Sequence, residues 1–175
     1  RRLFNQCCIL DHHPYLESRG LSRSLINTPR FQGTCFQDRF NNVVFPHFKN
    51  GDVCGLELKG SDISVFVRGS EKTFWRSKRS SDDDMLVIAE SPIDAMSYAA
   101  LFPCQRTFYL ATGGGFSHNQ ARLLQSLIDQ SPRLHSVILA TDHDQGGDRL
   151  SRVLNTVFET CSYSGDTTRH SPKDR

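Results

Sequence analysis

The apolar positions change rhythm about halfway along the chain. From residue 85 onward they come as short unbroken runs alternating with segments of helical period. "MLVIA" (85–89), "TFYLA" (107–111) and "SVILA" (136–140) are apolar throughout, as strands buried on both faces are. Residues 92–102 follow the first run, with Pro92 near the start and Ile93, Met96, Ala99 and Ala100 on one face. Residues 118–130 follow the second, with Ser117 placed to cap them and Leu123, Leu124 and Leu127 turned inward. Residues 147–160 follow the third. Strand–helix alternation of this kind predicts right-handed crossovers and a parallel sheet covered by helices.

Upstream the pattern is different. "NNVVFPHF", "VCGLELKG", "ISVFVRG" and "KTFWRS" are short β-rich runs, and Lys49-Asn50-Gly51-Asp52 between the first two carries Asn-Gly, a strong hairpin signal. Two short helices precede them, residues 14–20 with Pro14 at the start and Gly20 at the stop, and residues 23–27 with Ser22 as cap. Residues 77–84, "SKRSSDDD", are polar and without apolar period, so they read as a linker or exposed loop. The expectation is an α/β chain in two parts: a small α+β module over residues 1–80 with an antiparallel meander, then a parallel sheet flanked by helices over residues 84–175.

Composition changes this picture little. At 175 residues the chain is long enough for one ordinary domain or a small domain plus an appendage. A net charge of +2 neither demands nor excludes a nucleic-acid partner, since a basic patch can sit on a neutral protein. Six scattered cysteines without a C-x-x-C read as reduced thiols of a cytoplasmic protein. Cys7, Cys8, His12 and His13 match no common zinc spacing. No apolar run approaches the ~20 residues of a membrane span. The chain opens Arg-Arg-Leu without Met, and we expect it to be a piece of a longer protein with flanking domains.

The chemistry is concentrated at the strand ends. In open parallel sheets, ligands bind outside the carboxyl ends of the strands. The first strand ends in Glu90, the second in Thr112 and Gly113-Gly114-Gly115, the third in Asp142 and Asp144. Carboxylates gathered at one edge repel each other and resist desolvation. A hard divalent cation relieves that repulsion, taking one or two carboxylates together with water and substrate phosphates. Asp142 and Asp144, two apart in an extended segment, can point the same way, with His143 pointing opposite. Single residues also have plain structural uses. Asp144 is placed to cap the following helix, and Asp94 and Asp148 sit where they complement a helix dipole. A glycine triplet by itself is weak evidence of a phosphate loop.

Taken together, "LVIAESPIDAM" (86–96), "YLATGGG" (109–115) and "VILATDHDQGG" (137–147) resemble the signature of Toprim, the topoisomerase–primase fold: a Glu closing the first strand, a glycine after the second, Asp-x-Asp closing the third. The resemblance covers residues 84–175. It implies Glu90 as acid/base residue and Asp142 and Asp144 as ligands of Mg²⁺ (or Mn²⁺), with Glu90 able to share the ion and Asp94 in a secondary acidic position. It also implies phosphate contacts at Gly113 and Gly114, and at Lys173 in the tail "RHSPKDR" (169–175), which is similar to the basic end of primase-type Toprim domains. "ESPIDA" is similar to Toprim-like domains of plasmid and phage proteins, in which a small module of unassigned function precedes the Toprim part, as residues 15–60 do here. A bacterial, phage or plasmid origin follows from that likeness.

The implied function is Mg²⁺-dependent phosphotransfer on nucleic acid, with DNA and nucleotides as partners and primase-like nucleotidyl transfer in a mobile element as the first expectation. A Toprim-type nuclease and a non-catalytic DNA-binding module are the alternatives. Arg68, Lys72, Phe74, Trp75, Arg76, Lys78 and Arg79 add a basic aromatic stretch. Either Trp75 stacks a base and Arg76 meets phosphate, or the aromatics face a core and the cations face water.

Overall fold

The computed structural model describes residues 3–161 and 163–170 and contains two five-stranded sheets. The first is an antiparallel meander of β1 (Cys8–Ile9), β2 (Phe36–Gln37), β3 (Val43–Lys49), β4 (Asp52–Lys59) and β5 (Ser64–Phe66), paired in that order. Asn50 and Gly51 both take positive φ, 52° and 85°, and close the β3–β4 hairpin as the Asn-Gly signal predicts. The helices α1 (Pro14–Ser18) and α2 (Arg23–Ile26) precede β2, each capped by the preceding side chain, His13 and Ser22.

The second sheet has the order β10-β9-β7-β8-β6. Here β7 is Met85–Ala89, β8 Thr107–Ala111, β9 Ser136–Ala140 and β10 Asp166–Arg169, all parallel, while β6 (Trp75–Arg76) runs antiparallel along β8. Helices α3 (Pro92–Leu101), α4 (His118–Asp129) and α5 (Gln145–Thr160) make the crossovers. The α/β expectation therefore holds, with a parallel sheet and flanking helices after an α+β module. Strand β10 was not anticipated. "DTTR" is too polar to signal a strand, and it forms one by pairing a single neighbour at the edge.

Period-two alternation assigns the two faces of this sheet. Leu86, Ile88, Phe108, Leu110, Val137 and Leu139 pack against α4 and α5. Val87, Ala89, Tyr109, Ala111 and Ala140 pack against α3 and against the upstream module, through Leu16, Ile26, Phe31, Phe45 and Trp75. The module thus covers the half-face that α3 leaves open. Its own β3 and β4 are buried on both sides: Val44, Leu56 and Leu58 face a small outer cluster, Val43 and Phe45 face the second sheet.

Residues 77–84 are tied down rather than loose. The Ser77 backbone N–H donates to Tyr109 O and the Tyr109 N–H donates to Ser77 Oγ, each at 3.0 Å, which extends the β6–β8 pairing. Arg30 donates from both terminal nitrogens to the fully buried Asp83 carboxylate at 2.6 Å, and also to Lys78 O at 2.7 Å. The polarity that suggested a solvated linker instead supplies a buried ion pair. Removing one partner of such a pair strands the other charge, at a cost of about 3–5 kcal/mol. Arg30→Met is therefore expected to lower the denaturant-unfolding free energy by that order, and adding Asp83→Leu is expected to restore most of it. A loss below about 1 kcal/mol would show that the pair is solvated.

Candidate active site

The topology fixes where a ligand can bind. The helix after β7 packs on one face of the sheet and the helix after β9 on the other, so the strand order reverses between these neighbours. A crevice opens at the carboxyl ends of strands at such a switch point. Ala89 is level with Ala140 in the β7–β9 register, so Glu90 and the Thr141–Asp142 peptide leave the sheet side by side. The Asp142 backbone N–H donates to Glu90 Oε1 at 3.2 Å. Burial pushes the Glu90 carboxyl above its ordinary value, and the negative charges of Asp142, Asp144 and Asp94 push it the same way, against the opposing pull of the Asp142 N–H.

The remaining predicted acids divide between structural and exposed roles. Asp144 caps α5, its Oδ1 accepting the Gly147 N–H at 2.8 Å. Asp94 forms a capping box with Ser91 at the start of α3, its Oδ2 accepting from Ser91 N and Oγ at 3.1 and 2.6 Å. Asp94 nevertheless lines the same cavity as Glu90 and Asp142. Asp148 pairs with Arg169, which also donates to Thr141 Oγ1 at 3.1 Å and to Asp142 O at 2.7 Å. Strand β10 thereby clamps the acidic tip of β9. His143 is exposed.

The glycine triplet takes φ of 72°, 70° and 69°, a left-handed run open to glycine at little cost. Gly113 and Gly114 donate their N–H groups to Glu90 O at 2.9 and 3.0 Å. Lys72 crosses from the upstream module and donates to both of their carbonyls, at 2.7 and 2.6 Å. The loop is therefore held from both sides against the Glu90 backbone.

A cavity of about 400 Å³ opens over these groups. One wall is Glu90, Asp94, Asp142, Gly113 and Gly114; the other is Tyr15 on α1 and Arg19 at its C-cap, with Glu57 and Lys59 on β4. Glu57 is 5% exposed, and its Oε1 meets Lys59 Nζ at 2.9 Å. Among the described residues its Oε2 has no hydrogen-bond partner. The sequence reading missed Arg19, Glu57 and Lys59. In "GLELKG" the leucines mark one face of β4, and the charged residues between them look solvent-facing. The register places Glu57 opposite Phe45 and Lys59 opposite Val43, on the face turned toward the second sheet.

The basic aromatic stretch does not join the site as a stacking surface. Trp75 is fully buried, against Phe31 and Phe45 with ring centroids at 6.3 and 6.0 Å, and its indole N–H donates to Thr34 O at 2.8 Å. A base cannot reach it, and the expectation of stacking there is corrected to a core role. Arg76 is exposed on the edge strand over the Phe48 ring, lining a different cavity. Lys173 lies outside the described residues.

These groups are hard oxygen donors, and the like charges around Glu90 are what a divalent cation would compensate. Among the described residues no three acidic, imidazole or thiol groups converge into a ready cage. The donor set suits Mg²⁺ or Mn²⁺, which keep waters and share substrate phosphates, better than a closed structural site.

A family model described as Toprim-like matches residues 87–174, and one described as a protein of unknown function (DUF3991) matches residues 14–83. No curated protein matches the chain. The fold is similar to the primase fragment of the bacteriophage T7 primase-helicase protein, with TM-score 0.60 and 15% identity over 94% of this chain and 66% of that one. A chain in a structure of the T7 lagging-strand DNA polymerase with primase domains bound to an RNA/DNA hybrid and dTTP gives 0.58 and 13%, over 93% and 81%. The zinc-binding and RNA polymerase domains of the Aquifex aeolicus primase give 0.55 and 12%, over 91% of this chain and 49% of that one.

Two outcomes test the geometry. A Cβ on Gly147 would lie 2.0 Å from Asp142 O, a backbone atom, whereas on Gly146 it would meet only the Asp144 side chain at 3.1 Å. Gly147→Ala is expected to lower stability by about 2 kcal/mol or more in thermal unfolding, and Gly146→Ala by much less. The second outcome concerns His47, fully buried beside Gly113. Burial pushes its imidazole down to about 4 from an ordinary 6.5, and the Lys72 ammonium adds to that push. The unfolded chain takes up this proton before the fold does. Stability is therefore expected to fall as pH drops through that window, by roughly 3 kcal/mol in all. The advantage of wild type over His47→Gln in urea unfolding should shrink accordingly between neutral pH and pH near 4.

Proposed function

The chain belongs to the Toprim-like family, and from that premise we propose that it carries out divalent-metal-dependent phosphotransfer on nucleic acid, in the form of primase-like nucleotidyl transfer. The observation that carries the reading is the pairing of Glu90 with Asp142 at the switch point, under a cavity whose far wall bears Arg19 and Lys59. Acids on one wall, and on the other Arg19 with a Lys59 that also pairs with Glu57, suit a triphosphate carried with a metal ion. Likeness to primases in fold supports the choice of chemistry.

Asp142 and Asp144 would hold the ion, with Glu90 beside them placed to accept a proton. Bound there, Mg²⁺ or Mn²⁺ neutralises phosphate charge that builds up during transfer. Arg19 and Lys59 bind the triphosphate oxygens and orient it. A primer 3′-hydroxyl oxygen attacks the α-phosphorus, forming the new O–P bond as the bond to pyrophosphate breaks. The Glu90 carboxylate takes the hydroxyl proton.

The test supplies the purified chain with single-stranded DNA, nucleoside triphosphates and Mn²⁺ or Mg²⁺. Oligonucleotide synthesis is expected, reduced on the order of 10²-fold or more by Glu90→Gln without loss of the folded state. Metal-dependent nicking without synthesis would move the same site to nuclease chemistry. DNA binding that survives Asp142→Asn with Asp144→Asn, with no turnover by wild type, would make the chain a binding module.

A further inference from the structure

Glu90 separates two cavities of opposite character. The polar one, on the α3 side, is the triphosphate cavity already described. The other, of about 270 Å³, opens on the α4–α5 side between the glycine loop and the first turns of α5. Its walls are Phe116, Leu150, Val153 and the Arg149 side chain, and Glu90 is the residue common to both cavities. Leu150 is buried and Phe116 half-buried, and Val153 is 43% exposed at the mouth. Phe116 is backed by Phe74 at 6.3 Å between ring centroids, which limits its movement. Gly115 and Gly146 complete the lining. A Cβ on Gly115 would meet nothing within 4 Å.

We propose that this pocket is a nucleobase subsite: it takes the base of the nucleotide whose phosphates occupy the polar cavity across Glu90. The proposal rests on the phosphotransfer reading and adds to it the place of the base. Three features support that occupant over another. The pocket shares Glu90 with the carboxylate edge, so its occupant lies one side chain away from whatever binds there. Its size, near the lower end of ligand pockets, suits one planar ring system rather than a whole nucleotide. Its walls combine an aromatic ring and aliphatic side chains with a single cation, which suits a flat, weakly polar group bearing hydrogen-bond acceptors at its edge. The Phe116 ring supplies a stacking face and Arg149 the donors. Because every base has a stacking face, the subsite favours nucleotides over bare phosphates more than it favours one base over another.

The experiment compares ATP with inorganic tripolyphosphate on the whole chain, by equilibrium binding in the presence of Mn²⁺. Wild type is expected to prefer ATP by roughly ten-fold or more, the scale of one base–aromatic stack. Two uncharged changes act on the pocket alone. Val153→Trp, at an exposed helix position, fills it, and Phe116→Ala removes the stacking face. Each is expected to bring ATP affinity down toward that of tripolyphosphate, with tripolyphosphate affinity unchanged. Circular dichroism and Mn²⁺ binding confirm the fold of each variant, and Val153→Trp decides the matter if Phe116→Ala is unstable. An ATP preference unchanged in the folded Val153→Trp variant overturns the subsite and leaves the phosphotransfer reading standing. Binding of neither probe by wild type overturns both.

Discussion

The contact between the Asp142 backbone N–H and the Glu90 carboxylate is the constraint on which the site depends. Two strands that end level in a parallel register deliver acidic residues to the same place, and like charges there are unfavourable. The fold holds them together by fixing the backbone on every side. Arg169 clamps the peptide after β9, Gly147 lets α5 start against Asp142, and Asp144 caps that helix. On the other flank, Gly113 and Gly114 lock onto Glu90 O while Lys72 holds their carbonyls. Most of these contacts are to main chain, so they position the acids without neutralising them. The remaining charge on Glu90 is left for a ligand to compensate.

The upstream module takes part in this arrangement. Its aromatic residues seal the half-face of the second sheet beside α3, and β6 adds an antiparallel edge to that sheet. The same packing turns Arg19, Glu57 and Lys59 toward the carboxylate edge. Burying Glu57 at 5% exposure is costly unless it is paired, and Lys59 satisfies only one of its oxygens. A buried acceptor without a partner on the cavity wall calls for an explanation, and a donor on a bound ligand would supply one.

Much of this was legible in the chain, for reasons that differ by element. The three inner strands announced themselves because parallel strands buried on both faces must be apolar throughout, and Glu90, Asp142 and Asp144 stood out by interrupting those runs. The Asn-Gly hairpin and the Ser22 and Ser117 caps depend on local backbone chemistry and were equally readable. The residues that were misread depend on tertiary context. "DTTR" is a strand only because β9 offers it an edge. The charges of residues 77–84 signalled solvent because nothing nearby in sequence showed Arg30 waiting for Asp83. Trp75 beside three cations suggested an outward surface, and only the packing of Phe31 and Phe45 shows it to be interior.

Glu57 and Lys59 show why such a site is hardest to see from the strand that builds it. Alternation in β4 assigns Leu56 and Leu58 to a core and leaves the charged positions for water, a sound inference for a strand with one wet face. The second face is dry because another sheet covers it, and that sheet ends beside Glu57 in carboxylates and glycines rather than in apolar side chains. A charged residue there avoids solvent without entering a hydrophobic core; it enters the cleft. The polarity of the cavity is therefore set jointly. The second sheet supplies acids that repel one another, and the module supplies Arg19 together with the Lys59–Glu57 pair, so the cavity takes its character from both walls. A ligand bridging them would bring anionic oxygen to both Arg19 and Lys59 while its metal ion offset the charge on Glu90 and Asp142, which is the electrostatic demand of a nucleoside triphosphate.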